Sequence, residues 1–383
     1  MLSFEPFRVD VPDEVLDDLR DRLRRTRFPN QVEGAGWDQG TELSYLQGLV
    51  AYWADEFDWR AAESRINAFP QVTTTVEGQR IHLIHARSPE PDALPLLLVH
   101  GWPGSIVEFL DVLGPLTDPR AHGGDPSQAF HVVVPSLPGY TFSGPTTERG
   151  WNPRRIAGAF AEVMASLGYD RYVAQGGDWG SIVTANVADL DPAHCAALHL
   201  NFVVARPPEG EQPELDAADV AGLERMGEFR RTGTGYQEIQ GTKPQSLGYG
   251  LDDSPAGLAA WIVEKFRDWS DCDGDVERSF TKDQLLTNIT AYWVTATATS
   301  STRLYYETRS SGASALPPGK VDVPTGVANF AGEITRMPRP WVEASYDLVH
   351  WTDIPRGGHF AAMEVPDLFV PEVREFFAGF RSA

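Results

Sequence analysis

The sequence predicts an α/β fold: a mostly parallel central sheet, a helical insertion late in that sheet, and a helical N-terminal extension. Three observations carry this. From Thr73 onward, short continuous apolar runs such as Leu94–Val99 and Phe130–Pro135 alternate with amphipathic helical stretches, the pattern of parallel strands covered on both faces. Between about Ala205 and Gly319 the strand signal stops and aromatic helical segments replace it. At 383 residues, the chain exceeds the size at which one hydrophobic core usually keeps growing, so one large unit with added subdomains is expected.

Within the first 70 residues, Val15, Leu16, Leu19 and Leu23 fall at helical spacing, with Pro12 in the first turn and Pro29 beyond the end. Asp18–Arg22 and Asp21–Arg25 add four-apart ion pairs. A second apolar stripe runs through Leu43, Leu46, Leu49, Val50, Trp53 and Phe57, and a prefix so apolar on one face must dock on something. Thr73–Val76 and Arg80–His85, joined at Glu77-Gly78, read as a hairpin. Asn152 caps a helix with Pro153 in its first position, a stripe of Ile156, Ala159, Phe160, Val163 and Leu167, and Gly168 as its stop. Tyr172–Gln175 reads as a strand, followed by a helix from Ser181 and a strand near Ala197–Val203. Within the insertion, Trp261–Trp269 and Leu285–Trp293 read as helices. Val327–Phe330 and Leu348–Ile354 resume strand character, and Phe369–Phe380 closes as a helix. The expected division is 1–70, an N-terminal helical extension; 71–204, the first part of the core; 205–319, a helical cap; and 320–383, the second part of the core.

Composition excludes several classes. Hydrophobic residues at 42% and charged residues at 22% exclude disorder. Asp and Glu number 54 against 32 Lys and Arg, a net charge of −22 that repels nucleic acid and anionic membranes. Two cysteines, Cys195 and Cys272, make no disulfide framework and suit a reducing compartment. No apolar run approaches membrane-spanning length, and the N-terminus carries early acids instead of a signal core, so no membrane anchor and a cytoplasmic location are expected. No HExxH, GxGxxG or Walker loop occurs; neither metal nor cofactor is expected, and water is the co-substrate. The oligomeric state is not readable, which leaves a homo-oligomer open.

Three motifs carry chemistry. Gly176-Gly177-Asp178-Trp179-Gly180 follows a strand and precedes a helix, as a nucleophile elbow does in α/β-hydrolases. Asp178 stands where serine is usual. A carboxylate, ionised at neutral pH, attacks without a base; an acidic helix N-cap is the plainer reading of the same residue. His100-Gly101-Trp102-Pro103-Gly104 follows the Leu94–Val99 strand, where this fold places an oxyanion-hole donor, so the backbone amides of Trp102 and Trp179 are the expected pair. Arg356-Gly357-Gly358-His359-Phe360 follows the last expected strand, which favours His359 over His350 and His122 as the base. Glu333 is the first carboxylate beyond the preceding strand and is chosen over Asp322, Glu343 and Asp347 as the acid that orients it.

These motifs resemble the microsomal-type epoxide hydrolases, including the juvenile-hormone-epoxide and fungal members. The resemblance rests on HGWPGS at 100–105, GGDWG at 176–180, GYQEIQ at 235–240, DSPAGLAAWIVEKF at 253–266, RGGHFAAMEVP at 356–366, and the prefix from FEPFRVDVPDEVLDDL to RLRRTRFP. It covers essentially the whole chain. It implies hydrolysis of a small apolar epoxide by water to a vicinal diol, with Asp178 as nucleophile, His359 as base and Glu333 as acid. It further implies Tyr236 and Tyr305 as proton donors from the cap, with Tyr306 adjacent to Tyr305 as a rival. Membrane-bound relatives carry an N-terminal anchor that is not seen in this sequence, and the acid loop reads FAGE where relatives often show Pro before the acid. Trp261, Phe266, Trp269, Tyr292 and Trp293 either line an apolar pocket or form cap core. A haloalkane dehalogenase, which also uses an elbow Asp, and a catalytically inactive α/β-fold binding protein are the alternatives.

Overall fold

The computed structural model describes residues 1–381. In chain order its elements begin with β1 (Glu5–Phe7), α1 (Asp13–Arg24), α2 (Leu43–Asp55) and α3 (Trp59–Ile66). β2 (Gln71–Val76), β3 (Gln79–Ala86), β4 (Leu94–Val99), α4 (Leu110–Thr117), β5 (Phe130–Pro135), α5 (Pro153–Ser166), β6 (Tyr172–Gly176), α6 (Trp179–Leu190) and β7 (Cys195–Leu200) follow. Six helices come next: α7 (Ala217–Thr232), α8 (Gly235–Thr242), α9 (Pro244–Leu251), α10 (Pro255–Asp268), α11 (Lys282–Val294) and α12 (Ala298–Ser310). The chain ends with β8 (Val321–Phe330), α13 (Arg339–Ser345), β9 (Tyr346–Ile354), α14 (Ala361–Glu364) and α15 (Pro366–Ala378).

One nine-stranded sheet runs β1-β2-β3-β5-β4-β6-β7-β8-β9. β1, β2, β3 and β5 pair antiparallel in succession, and β5 through β9 pair parallel. β5 is buried at every position and β4 at all but Pro95, as the continuous apolar runs require. α5 packs on α6, while α4, α14 and α15 form a second group. The sequence-based ends of α5 match its capping: the Asn152 side chain accepts the Arg155 N–H, and Gly168 turns the chain at φ +86°.

Three expectations need correction. Residues 1–70 are not purely helical: Glu5–Phe7 pairs with Gln71–Thr73 and extends the sheet. Three residues are too short to show alternation. The helix expected from Ser181 begins at Trp179. β8 begins at Val321 and not Val327, because Pro324 and a register shift beside it hide the start of the strand.

The N-terminal extension docks on two partners at once. β1 joins it to the sheet, while α1 and α2 pack on α10 and α3 packs on α11. Thr41 Oγ1 donates to the Ala260 carbonyl at 2.6 Å and the Tyr52 hydroxyl to Asp283 at 2.8 Å. Leu49 and Ile66 are fully buried in this contact region. Among the described residues no helix is long and apolar enough to cross a membrane.

Candidate active site

The turn between β6 and α6 is held by close backbone approach. A Cβ on Gly176 would lie 2.3 Å from the Gly180 carbonyl oxygen, and one on Gly180 would lie 2.0 Å from the Val99 carbonyl oxygen. Only glycine fits either place. Between them Asp178 takes φ +49°, a costly conformation for a residue with a side chain. The Asp178 side chain makes no capping hydrogen bond to α6, which removes the N-cap reading. Its Oδ1 instead accepts the Trp102 amide at 2.8 Å. Gly101 lets the two segments meet, since a Cβ there would fall 2.2 Å from Asp178 Oδ1. The Trp179 amide opens α6, where no preceding turn supplies it a carbonyl.

The His100–Ser105 loop is tied down from the helical insertion. Asn288 donates to the Pro103 carbonyl at 2.8 Å, Ser105 donates to Asn288 at 2.7 Å, and the Tyr292 hydroxyl donates to the Gly104 carbonyl at 2.6 Å. His100 is committed to structure: Nδ1 bonds the Gly101 carbonyl and Nε2 accepts the Leu137 N–H. Burial pushes its pKa down to about 4, so it stays neutral.

His359 lies across from Asp178. Its Nδ1 donates to Glu333 Oε1 at 2.9 Å, and Nε2 stands 3.3 Å from Asp178 Oδ2. The second approach is off line for a hydrogen bond, leaving Nε2 buried without an aligned partner. Burial disfavours the imidazolium, but Glu333 and Asp178 outweigh it and hold the His359 pKa well above its ordinary value. Asp322, Glu343 and Asp347 do not reach the imidazole: they lie on β8, α13 and β9. His350 bonds Glu372 at 2.8 Å. Sequence reasoning missed Glu364, whose carboxylate accepts the amides of Asp271, Gly358 and Phe360, each at 2.9 Å. It folds the loop that carries His359, and the motif RGGHFAAMEVP contained it unassigned.

Tyr236, on α8, stacks on Trp102 with ring centroids 5.2 Å apart. Tyr305, on α12, sits edge-on to Trp179 at 4.8 Å and to Tyr236 at 5.8 Å. Burial raises the pKa of both phenols, with the Asp178 charge adding to it, so both remain protonated donors. Tyr306, one residue on, faces a separate groove lined by Thr146, Lys243 and Arg303. Of the five aromatics expected as pocket or cap core, Trp269 contacts Tyr236 and His359, while Phe266 stacks on Phe360. Trp261 donates to Gln240, and Tyr292 anchors Gly104. Among the described residues no cluster of three or more His, Cys, Asp or Glu is placed to hold a metal ion. The arrangement offers an attacking carboxylate, a buried imidazole–carboxylate pair, an oxyanion donor and two phenolic donors.

A family profile described as "Epoxide hydrolase N terminus" matches residues 4–109, and one described as "alpha/beta hydrolase fold" matches residues 95–232. A Stigmatella aurantiaca protein, provisionally named an epoxide hydrolase, is 48% identical over 98% of this chain and 85% of its own length. Epoxide hydrolase 1 of Sus scrofa is 38% identical over 98% of this chain and 88% of its own length. The solved Aspergillus niger epoxide hydrolase superimposes with a TM-score of 0.88 at 36% identity, covering 98% of this chain and 96% of that one.

Proposed function

The chain belongs to the epoxide hydrolase family, and from that premise we propose that its conversion of an epoxide and water to a vicinal diol runs through an ester on Asp178. The observation that carries this reading is the division of labour around one carboxylate: Oδ1 is held by the Trp102 amide while Oδ2 faces His359. In the first half-reaction Oδ2 attacks an oxirane carbon and Tyr236 or Tyr305 protonates the departing oxygen. Nucleophile and proton donors sit on opposite elements, so the ring lies between them. In the second, His359, oriented by Glu333, takes a proton from water and the hydroxide adds to Asp178 Cγ. Negative charge then collects on Oδ1, where the Trp102 amide and that of Trp179 at the start of α6 stabilise it. The aromatic lining favours an apolar epoxide, the helices of 205–319 serve as the lid, and two free, buried cysteines suit a cytoplasmic setting.

Because water attacks Cγ and not the substrate, a single turnover in H₂¹⁸O should place the label in the peptide containing Asp178 and leave the first diol unlabelled. Label appearing directly in that diol would exclude the ester. His359→Gln should form the ester and stall there, seen as a mass increase equal to the epoxide. The dehalogenase and inactive-protein alternatives are not favoured by these relatives.

A further inference from the structure

Hydrolysis of the ester requires one water within reach of both His359 Nε2 and Asp178 Cγ. The site contains a small cavity of about 10 Å³ bordered by His100, Gly101, Glu108, Asp178, Asn201 and His359, room for the centre of a single water. A water held there needs at least two polar partners. His100 has both ring nitrogens engaged, and Asn201 Oδ1 accepts from Gln175 at 2.6 Å. His359 Nε2 has no aligned partner. That leaves the carboxyl of Glu108, a residue to which the reading above gives no role.

Glu108 reaches this place through a missing side chain. A Cβ on Gly104 would lie 1.6 Å from Glu108 Oε1 and 2.4 Å from its Cδ: the carboxyl occupies the volume that any other residue at 104 would fill. The turn that carries it, Ile106–Phe109, is capped by Ser105, whose hydroxyl accepts the Val107 N–H. The loop beneath is fixed by Asn288 and Tyr292. The carboxyl is therefore folded back into the site. Burial pushes its pKa up to about 8; the Asp178 charge adds to this and His359 opposes it. It is mostly uncharged at neutral pH, so it puts no second negative charge beside the nucleophile and presents one acceptor and one donor.

We propose, resting on the ester reading, that Glu108 and His359 Nε2 together hold the hydrolytic water in this cavity and aim it at Asp178 Cγ. One water O–H points to Nε2 and the other to the Glu108 carbonyl oxygen. As Nε2 takes the first proton, the water oxygen forms the bond to Cγ and the carbonyl electron pair moves onto Oδ1. Collapse breaks the Cγ–Oδ2 bond, the leaving alkoxide takes the proton back from His359, and the proton left on the new oxygen of Asp178 passes to the freed imidazole, which restores the carboxylate. Glu108 starts and finishes protonated.

The test is rapid-quench mass spectrometry of the full chain with an aryl epoxide, following ester on Asp178 and diol separately. Glu108→Ala should form ester at close to the wild-type rate and hydrolyse it on the order of 100-fold slower. The ester then accumulates, and kcat and KM fall together while kcat/KM holds. Glu108→Gln, with an acceptor and a donor of the same size, should recover most of that loss. Gly104→Ala, which expels the same carboxyl while keeping the glutamate, should show the split seen in Glu108→Ala and supplies the test should the latter not fold. Equal slowing of both steps, or wild-type hydrolysis in either alanine variant, overturns the role of Glu108. Absence of any ester in the wild type overturns the underlying reading instead.

Discussion

At Asp178 and His359, each residue sets the working state of the other. In the free protein the imidazole faces two carboxylates, Glu333 through Nδ1 and Asp178 through Nε2. Burial works against the imidazolium, and the two charges outweigh it. The folded pKa is raised, so this stabilisation is complete below the unfolded value and is lost as pH rises through the folded one. On the proposed ester route, esterification neutralises Asp178, removes one of the two charges, and so would release a neutral base for the water step. Asp178→Asn mimics that loss: the His359 pKa should fall relative to the wild type in an imidazole NMR titration, and an unchanged value would mean that Asp178 does not hold the proton. Tyr236→Phe combined with Tyr305→Phe keeps the rings on Trp102 and Trp179 and removes only the hydroxyls. Ring opening should slow by about 10²–10⁴-fold with the melting temperature nearly unchanged; unaltered turnover would free both from the chemistry. That Asp178, His359 and Glu333 come together was legible because each follows a strand in a glycine-bearing loop. Glu108 and Glu364 were not, since what places them is the space left by Gly104 and three converging amides, neither visible in local pattern. Tyr305 and Tyr306 differ only by one step of helix rotation, and the packing of α12 turns the first toward Trp179 and Tyr236 and the second toward a separate groove.

At the scale of elements, the same substitution acts in opposite directions at two glycines, one in the strand–turn–helix elbow and one inside α5. Gly180→Ala drives a Cβ to 2.0 Å from the Val99 backbone. β4 is buried and paired on both sides, so the clash cannot relax into a flexible side chain. A loss of at least about 3 kcal/mol is expected, with activity falling as α6 moves Asp178. Gly158, inside α5, has open space where a Cβ would go, and Gly158→Ala should gain about 0.5–1 kcal/mol. Urea unfolding of the two variants beside the wild type checks both signs. The same local logic explains which elements sequence reasoning reached. The Glu77-Gly78 hairpin, β4, β5, α5 and the elbow each carry their own signal in turn residues, apolar runs or caps. β1 has three residues and gains its identity only by pairing with β2, and the start of β8 is masked by Pro324.

Across the whole molecule, the sequence pattern changes near Thr73, Ala205 and Gly319 because strands and helices bury different periodicities. What sequence could not supply was the balance among buried titrating groups that only the finished fold brings out of water. His82 and His100 are held neutral chiefly by burial, their pKa values pushed down to about 3 and about 4. Below pH 6.5 the unfolded chain binds protons that these folded sites refuse, which costs about 1.4 kcal/mol per pH unit for each. Glu108 and Glu364 act in the opposite sense, since burial raises them to about 8 and about 7. Each keeps a proton that the unfolded chain releases above its ordinary carboxyl value, so the fold gains as pH falls toward that value. His359, protonated in both states below pH 6.5, drops out of the acid range. Between pH 6.5 and about 4.5 the two carboxyls offset only part of the histidine cost, because burial also pushes His85 down to about 4 and lowers His199. Below that, the carboxyls bind protons in both states while His82 and His100 still refuse theirs. Glu372 adds to the loss there: burial works against it, yet His199 and His350 hold its pKa below the ordinary value. Unfolding free energy should therefore already decline from pH 6.5 to about 4.5 and fall more steeply below. Glu108→Gln removes one offsetting group, so its stability should begin to fall at pH 6.5 by about 1.4 kcal/mol per unit more than the wild type. Urea titrations at half-unit pH steps measure both slopes, and parallel curves for the two proteins would mean that Glu108 is ionised in the fold.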